Sequence, residues 1–356
     1  MSQTSAITPR LIALASAVPP FDIIQDEIAE RAARNFSFNE GGYQWLLPIY
    51  HNAQIRRRHS VVPLDWFLQE HSFAERNALF LEHATNILTE LAAKALAQAG
   101  LAPQDIDDIV TVSSSGIATP ALDARLMQRL PFRTDVQRSP LFGLGCAGGV
   151  LGLSRATSLA RAAPQSRVLL LVVELSTLTF RRQDRSKANL VATALFGDGA
   201  AAAIITCRED APQNAPRLGP AGEHTWPDTL DIMGWDVAND GLQVVFSRDI
   251  PTLVREELRK VVDNFLRKNK LSLRDIDEFI CHPGGAKVLD ALETAFDLEP
   301  GALIHSRSVL REHGNMSSVT VLFILREALD AGVKGRCLLT TMGPGFTAGM
   351  MIVETA

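Results

Sequence analysis

The chain has 356 residues, 46% of them apolar and 21% charged, and a net charge of −5. That length accommodates two domains or one duplicated unit, the apolar share is that of an ordinary globular protein, and the slight acidity offers no basic footprint for nucleic acid. Apolar runs such as Val168–Val173 are far too short to span a bilayer, no signal-like leader opens the chain, and the four scattered cysteines (146, 207, 281, 337) have no paired or zinc-like spacing. Reduced thiols in a cytoplasmic protein with no metal and no membrane span are therefore expected.

In chain order, Leu11–Val18 reads as a strand stopped by Pro19-Pro20, and Asp26–Phe36 as a helix. The mixed segment Gly41–Ser60 carries the basic run Arg56-Arg57-Arg58-His59, a solvated face or a place for a phosphorylated cofactor. Ala74–Gly100 is a long amphipathic helix with Gly100 as its stop, and Asp105–Ser113 supplies a turn and strand. Val168–Val173 and Ala200–Thr206 read as strands, the second after a tight turn at Phe196-Gly-Asp-Gly199. Asp210–Pro227, rich in Pro, Gly and Ala, reads as a linker or loop. Beyond it come a helix (Pro251–Lys268), a strand (Asp275–Cys281), two helices (Ala286–Phe296, Ser317–Ala331) and a strand (Arg336–Thr341). Strands alternating with helices predict an α/β fold with a largely parallel sheet.

The two halves repeat. Asp105-Ile-Asp-Asp108 recurs as Asp275-Ile-Asp-Glu278 at an offset of 170, and Arg167-Val-Leu-Leu170 as Arg336-Cys-Leu-Leu339 at 169. The same shift carries Cys146 to Met316, beside Asn315. A duplicated α/β unit of domain size follows, with equivalent helix starts converging near its centre.

Cys146 sits among small residues just before the helical pattern Val150, Leu151, Leu153, Leu159. A thiol at a helix start faces unpaired N–H groups and the positive end of the macrodipole, which favour the thiolate. His282 ends the strand Asp275–Cys281, where an α/β sheet presents side chains to ligands, and Asn315 opens another helix. A thiolate attacking a thioester, with His and Asn N–H groups holding the oxyanion or enolate, makes acyl transfer. Singly, each residue has a plainer reading: a buried packing cysteine, a structural histidine, an N-cap asparagine.

The motifs Gly145-Cys-Ala-Gly-Gly149, Val173-Glu-Leu-Ser176, Ala194-Leu-Phe-Gly-Asp-Gly-Ala-Ala201, Cys281-His-Pro-Gly-Gly285, Gly314-Asn-Met-Ser-Ser318 and Met342-Gly-Pro-Gly-Phe346 resemble those of type III polyketide synthases, the chalcone synthase family of the thiolase superfamily. The resemblance runs from about Pro9 to Val353. It implies a homodimer of thiolase-like, duplicated αβαβα halves, with the cysteine in residues 1–207 and the histidine and asparagine in 208–356. Cys146, His282 and Asn315 would be catalytic. Phe196 and Phe246 would be gatekeepers, and Ser114, Thr119, Thr179, Gly241 and Ser317 would line the cavity, Thr119 reaching that of the partner. Arg56, Arg57 and Arg58 fall where the family binds CoA phosphates. Acyl-CoA (or a carrier-bound acyl group) and malonyl-CoA would be substrates, with no cofactor permanently bound.

Two departures from the plant enzymes look bacterial: no aromatic residue follows the nucleophile, and Met342 opens the last glycine motif. Glu174-Leu-Ser-Thr-Leu-Thr-Phe180 and Leu190-Val-Ala-Thr-Ala194 are most similar to alkylpyrone and alkylresorcinol synthases with fatty acyl starters. The alternatives are a single-extension ketoacyl synthase, against which Pro-Gly-Gly after His282 speaks, and a non-catalytic acyl-binding protein on the same fold.

Overall fold

The structure, a computed structural model, describes residues 8–35, 47–247 and 249–356. Phe36 of the first expected helix and residues 41–46 of the mixed segment lie outside these.

The strands are β1 (Arg10–Ala17), β2 (Phe21–Ile24), β3 (Arg57–Ser60), β4 (Asp108–Ser113), β5 (Gln137–Phe142), β6 (Arg167–Leu175), β7 (Asp198–Thr206), β8 (Arg217–Thr225), β9 (Met233–Ala238), β10 (Gly241–Phe246), β11 (Glu278–Cys281), β12 (Gly335–Gly343) and β13 (Thr347–Thr355). Nine form one sheet in the order β11-β12-β13-β8-β1-β7-β6-β4-β5, while β2–β3 and β9–β10 are separate antiparallel pairs. About the single-residue contact Arg10↔Arg217 between β1 and β8, the sheet reads outward as β7, β6, β4 on one side and β13, β12, β11 on the other. That mirrored order is the duplication seen in the sequence.

Side-chain alternation turns the strands into five layers. Val168, Leu170 and Val172 of β6 face a central cluster, whereas Leu169, Leu171 and Val173 face an outer one. In the other half Cys337 and Leu339 of β12 join the same central cluster, and Leu338 points the opposite way. The central layer is a pair of helices, Gly148–Ala162 and Thr320–Asp330, buried through Val150, Leu153, Val321, Leu322 and Leu325. One outer layer is the helix Phe73–Ala99, closed by a Ser72–Glu75 capping box and by Gly100 at φ 65°. The other packs Val262, Phe265, Leu289 and Leu292 from Arg259–Lys268 and Ala286–Ala295.

Two expectations are corrected. The sheet is mixed: β5–β4–β6 and β11–β12 pair in parallel, but β6–β7, β7–β1, β8–β13 and β12–β13 are antiparallel. The three residues between β12 and β13 leave no length for a crossover. The expected linker Asp210–Pro227 contains the sheet strand β8. Its glycines answer packing: a methyl at Gly222 would lie 2.6 Å from Phe265, and one at Gly219 3.2 Å from Ile352 Cβ. Gly219-Pro220 falls where the β8–β13 register shifts, a bulge that tolerates the missing proline donor.

Candidate active site

The central helices begin with equivalent short turns, Gly145–Ala147 before Gly148–Ala162 and Ser317–Val319 before Thr320–Asp330. They meet closely: a methyl at Gly148 would stand 3.0 Å from Ser318 Cβ, and one at Gly149 2.2 Å from the Ser318 carbonyl oxygen. Fold symmetry therefore brings Cys146 to Asn315. The thiol sulfur lies 4.0 Å from Asn315 Oδ1, which also accepts the Ser317 N–H at 2.8 Å. With the oxygen fixed by a backbone donor, Asn315 Nδ2 is the free end; it is buried and has no hydrogen-bond partner.

His282 follows β11 and donates its backbone N–H to Thr340 of β12 at 2.8 Å. Farther along β12, Gly343 presses on the nucleophile turn, where a methyl would meet the Ala147 nitrogen at 2.7 Å. The imidazole is 4% exposed, and neither ring nitrogen has a hydrogen-bond partner.

Burial decides the resting charges. It pushes the Cys146 thiol up to about 12; the Ser317 hydrogen bond offsets only part of this, and the Glu174 carboxylate pushes the same way as burial. Burial alone takes His282 down to about 3. Burial therefore disfavours the charged form of both groups and works against the helix terminus, which favours the thiolate.

Ser114 accepts the Gly145 N–H at 2.9 Å, steadying the nucleophile turn. Sequence reasoning assigned no role to Glu174, which is fully buried. Its carboxylate accepts the Ser318 hydroxyl at 2.6 Å and the Ser114 N–H at 3.0 Å, tying both turns together. The signal was a lone carboxylate near the end of the apolar run Val168–Leu175.

Phe196 bridges to Asn315 through the backbone: Asn315 N–H donates to Leu195 at 2.8 Å, and Gly197 N–H to Asn315 at 3.0 Å. Its ring stacks on Phe246 at 5.8 Å. A cavity of about 750 Å³, counting its open mouth, lies against Phe196. Ser176, Thr179, Ala192 and Val244 line it together with Ile28, Ala32, Leu64 and Phe67. Gly241 lies apart from this cavity, over Phe73 and Arg76, and Thr119 is exposed.

The basic run divides. Arg56 and Arg57 both pair with Glu312, Arg57 also with Asp22 at 2.9 Å, and Arg56, Arg311 and Arg57 together hold Glu312 at about 2. Arg58, expected beside CoA phosphates, is instead 3% exposed and donates to the Phe196 carbonyl at 2.7 Å and Gln25 Oε1 at 2.9 Å. Strand alternation turns it inward, opposite to Arg57. Among the described residues no group of acidic, His and Cys side chains has metal-binding geometry, and no helix is long and apolar enough to cross a membrane.

Next to Asn315, His313 is held down to about 4, by burial first and by His59 at 5.3 Å second. Its folded pKa lies below the unfolded value of about 6.5, so the unfolded chain gains protons first as pH falls. Stability is complete above about pH 6.5 and is lost toward pH 4. Between pH 7.5 and 5 His313 alone is expected to remove roughly 2 kcal/mol. Thermal melts of wild type and His313→Phe would show it: the variant should lose less across that interval, and parallel losses would refute the assignment.

Two family models match the chain: the N-terminal domain of chalcone and stilbene synthases over residues 1–209 and their C-terminal domain over residues 218–355. The chain is 39% identical to a 1,3,6,8-tetrahydroxynaphthalene synthase of Streptomyces peucetius subsp. caesius, covering 96% of this chain and 92% of that one. It is 28% identical to a phloroglucinol synthase of Pseudomonas fluorescens (85% and 87% covered). The crystal structure of 1,3,6,8-tetrahydroxynaphthalene synthase from Streptomyces coelicolor A3(2) superimposes with a TM-score of 0.91 at 30% identity, over 97% of this chain and 99% of that one.

Proposed function

Because the chain belongs to the chalcone and stilbene synthase family, acyltransferases of the type III polyketide synthase class that condense malonyl-CoA units on a thiolase-like fold, we propose that its starter is a medium- or long-chain fatty acyl group and its product an alkylpyrone or alkylresorcinol. Cys146 carries the starter and the growing chain as a thioester. His282, neutral with both ring nitrogens free, takes the thiol proton as the thioester forms, then donates to the thioester oxygen. Asn315 Nδ2 and His282 hold the enolate left when malonyl-CoA loses CO2. One observation carries this assignment: the amide beside the buried thiol and the imidazole that follows β11 have polar atoms that are nearly shut off from water and have no partner in the protein. Such atoms are costly unless a ligand satisfies them.

The cavity supports the starter. Its wall includes Ile28, Ala32, Leu64 and Phe67, suited to an alkyl tail. Arg56 and Arg57, on the outer side, take the CoA phosphates. Residues 1–207 and 208–356 are the duplicated halves, and the protein works in the cytoplasm as a homodimer. Support for the dimer comes from β5, an edge strand of the sheet, which ends in Phe142 at 61% exposure, and from Ile117 and Thr119, exposed in the segment after the neighbouring strand β4.

The test is a mass-spectrometric product profile with malonyl-CoA and acyl-CoA starters from short to long. Tri- or tetraketide pyrones or resorcinols from long starters are expected. Tetrahydroxynaphthalene from malonyl-CoA alone would overturn the starter assignment, and a single-extension β-ketoacyl product would favour the ketoacyl synthase alternative. Ala32→Trp should cut turnover of the longest starters about tenfold and spare the shortest, since it fills the apolar wall that Ala32 forms with Ile28, Leu64 and Phe67. An unchanged chain-length profile would remove the tail from this groove.

A further inference from the structure

Arg58 is a buried charge that the reaction as described does not use. A guanidinium cannot shed its charge as an amine can, and burial lowers it only to about 10, so it stays protonated and must be held by acceptors. Both terminal nitrogens serve one place in the fold. Nη1 donates to the Phe196 carbonyl at 2.7 Å and Nη2 to Gln25 Oε1 at 2.9 Å. Gln25 is itself buried and passes its amide hydrogens to the carbonyls of Ala194, at 3.0 Å, and Tyr50, at 3.3 Å. The end of the helix Lys187–Leu195 is thus grasped at Ala194 and at Phe196.

The stem of Arg58 fits between two glycines. A methyl at Gly314 would meet Arg58 Cγ and Cδ at 2.7 Å, and one at Gly197 would meet Arg58 Cβ at 3.3 Å. Gly314 precedes Asn315 and Gly197 follows Phe196, the two residues joined by the backbone bridge. Asp198, within electrostatic reach of Arg58, anchors the following turn by accepting from Val61 N–H at 3.1 Å and from the Thr177 hydroxyl at 2.6 Å.

We propose that Arg58 is a positioning residue for decarboxylation: by clasping the Phe196 carbonyl and filling the space between Gly197 and Gly314, it sets the Phe196–Asn315 bridge and so aims the free amide of Asn315. The proposal rests on the reading of Asn315 as an enolate donor. A lysine keeps the charge but cannot grip two acceptors in a fixed plane, so the aim is lost while the fold survives.

The experiment separates two partial reactions in wild type, Arg58→Lys and Gln25→Ala. One is CO2 release from malonyl-CoA; the other is acylation of Cys146 by an acyl-CoA, followed by intact-protein mass. Arg58→Lys is expected to lower kcat for CO2 release about 10- to 100-fold, with KM and the acylation rate within about threefold of wild type. Gln25→Ala, which leaves Arg58 and its Phe196 contact in place, should show the same split at smaller size and covers the case of an unfolded Arg58→Lys. Equal loss of both reactions, or no loss of either, overturns the positioning role. Absence of CO2 release from the wild type instead overturns the reading of the site on which the proposal rests.

Discussion

Cys146→Ala is expected to abolish product, by about 10⁴-fold or more, because no other thiol reaches the site. Cys281 and Cys337 are buried in the sheet, where burial pushes them up to about 12 and about 11, and Cys207 follows β7, at the opposite end of that strand from Gly197. The substitution removes only the acyl carrier. Asn315 Nδ2 and His282 remain, so CO2 release from malonyl-CoA should fall far less than product formation. Asn315→Ala is the complement: it removes the enolate donor and should hurt CO2 release more than acylation of Cys146. Radiolabelled malonyl-CoA for CO2 and intact-protein mass for acylation read the two steps separately. Retained product in Cys146→Ala would overturn the covalent mechanism, and equal losses in Asn315→Ala would overturn its enolate role.

Much of this site was legible because symmetry leaves a mark in sequence. The 170-residue offset carried Cys146 to Met316, beside Asn315, and the structure sets the Cys146 and Asn315 side chains 4.0 Å apart. Composition misled at β8, where glycines make room for Phe265 and Ile352 instead of forming a loop. The protonation state was illegible too, because local sequence reveals a helix start but not how deeply it is buried. Arg58 failed for a related reason. A run of three arginines looks like a solvated patch, whereas β3 begins at Arg57 and alternation along it turns Arg58 to the opposite face. The one deep in the fold binds a backbone carbonyl, an acceptor that no side-chain motif records.

Gly149 is where the two halves press most closely, and Gly149→Ala is expected to cause the largest loss of stability. The residue has no positive φ, so alanine would be welcome in an isolated helix and worth about 1 kcal/mol. In this fold the added methyl would lie 2.2 Å from the Ser318 carbonyl oxygen and 2.5 Å from Val321 Cγ1. Backbone cannot swing aside as a side-chain tip does, so the central helices must separate. Overpacking of this kind typically costs about 1–3 kcal/mol, and a backbone clash belongs at the upper end. Gly100→Ala provides the contrast. There φ is 65° and nothing stands within 4 Å, so only the left-handed conformation opposes the methyl, at a cost of about 1 kcal/mol. Denaturant midpoints should rank wild type above Gly100→Ala and Gly100→Ala above Gly149→Ala. Activity should separate the variants further, since displacing Ser318 disturbs its hydrogen bond to Glu174 and the turn that carries Asn315. If Gly149→Ala proved as stable and as active as Gly100→Ala, the two halves would not be locked at this crossing, and the convergence of Cys146 with Asn315 would need another support.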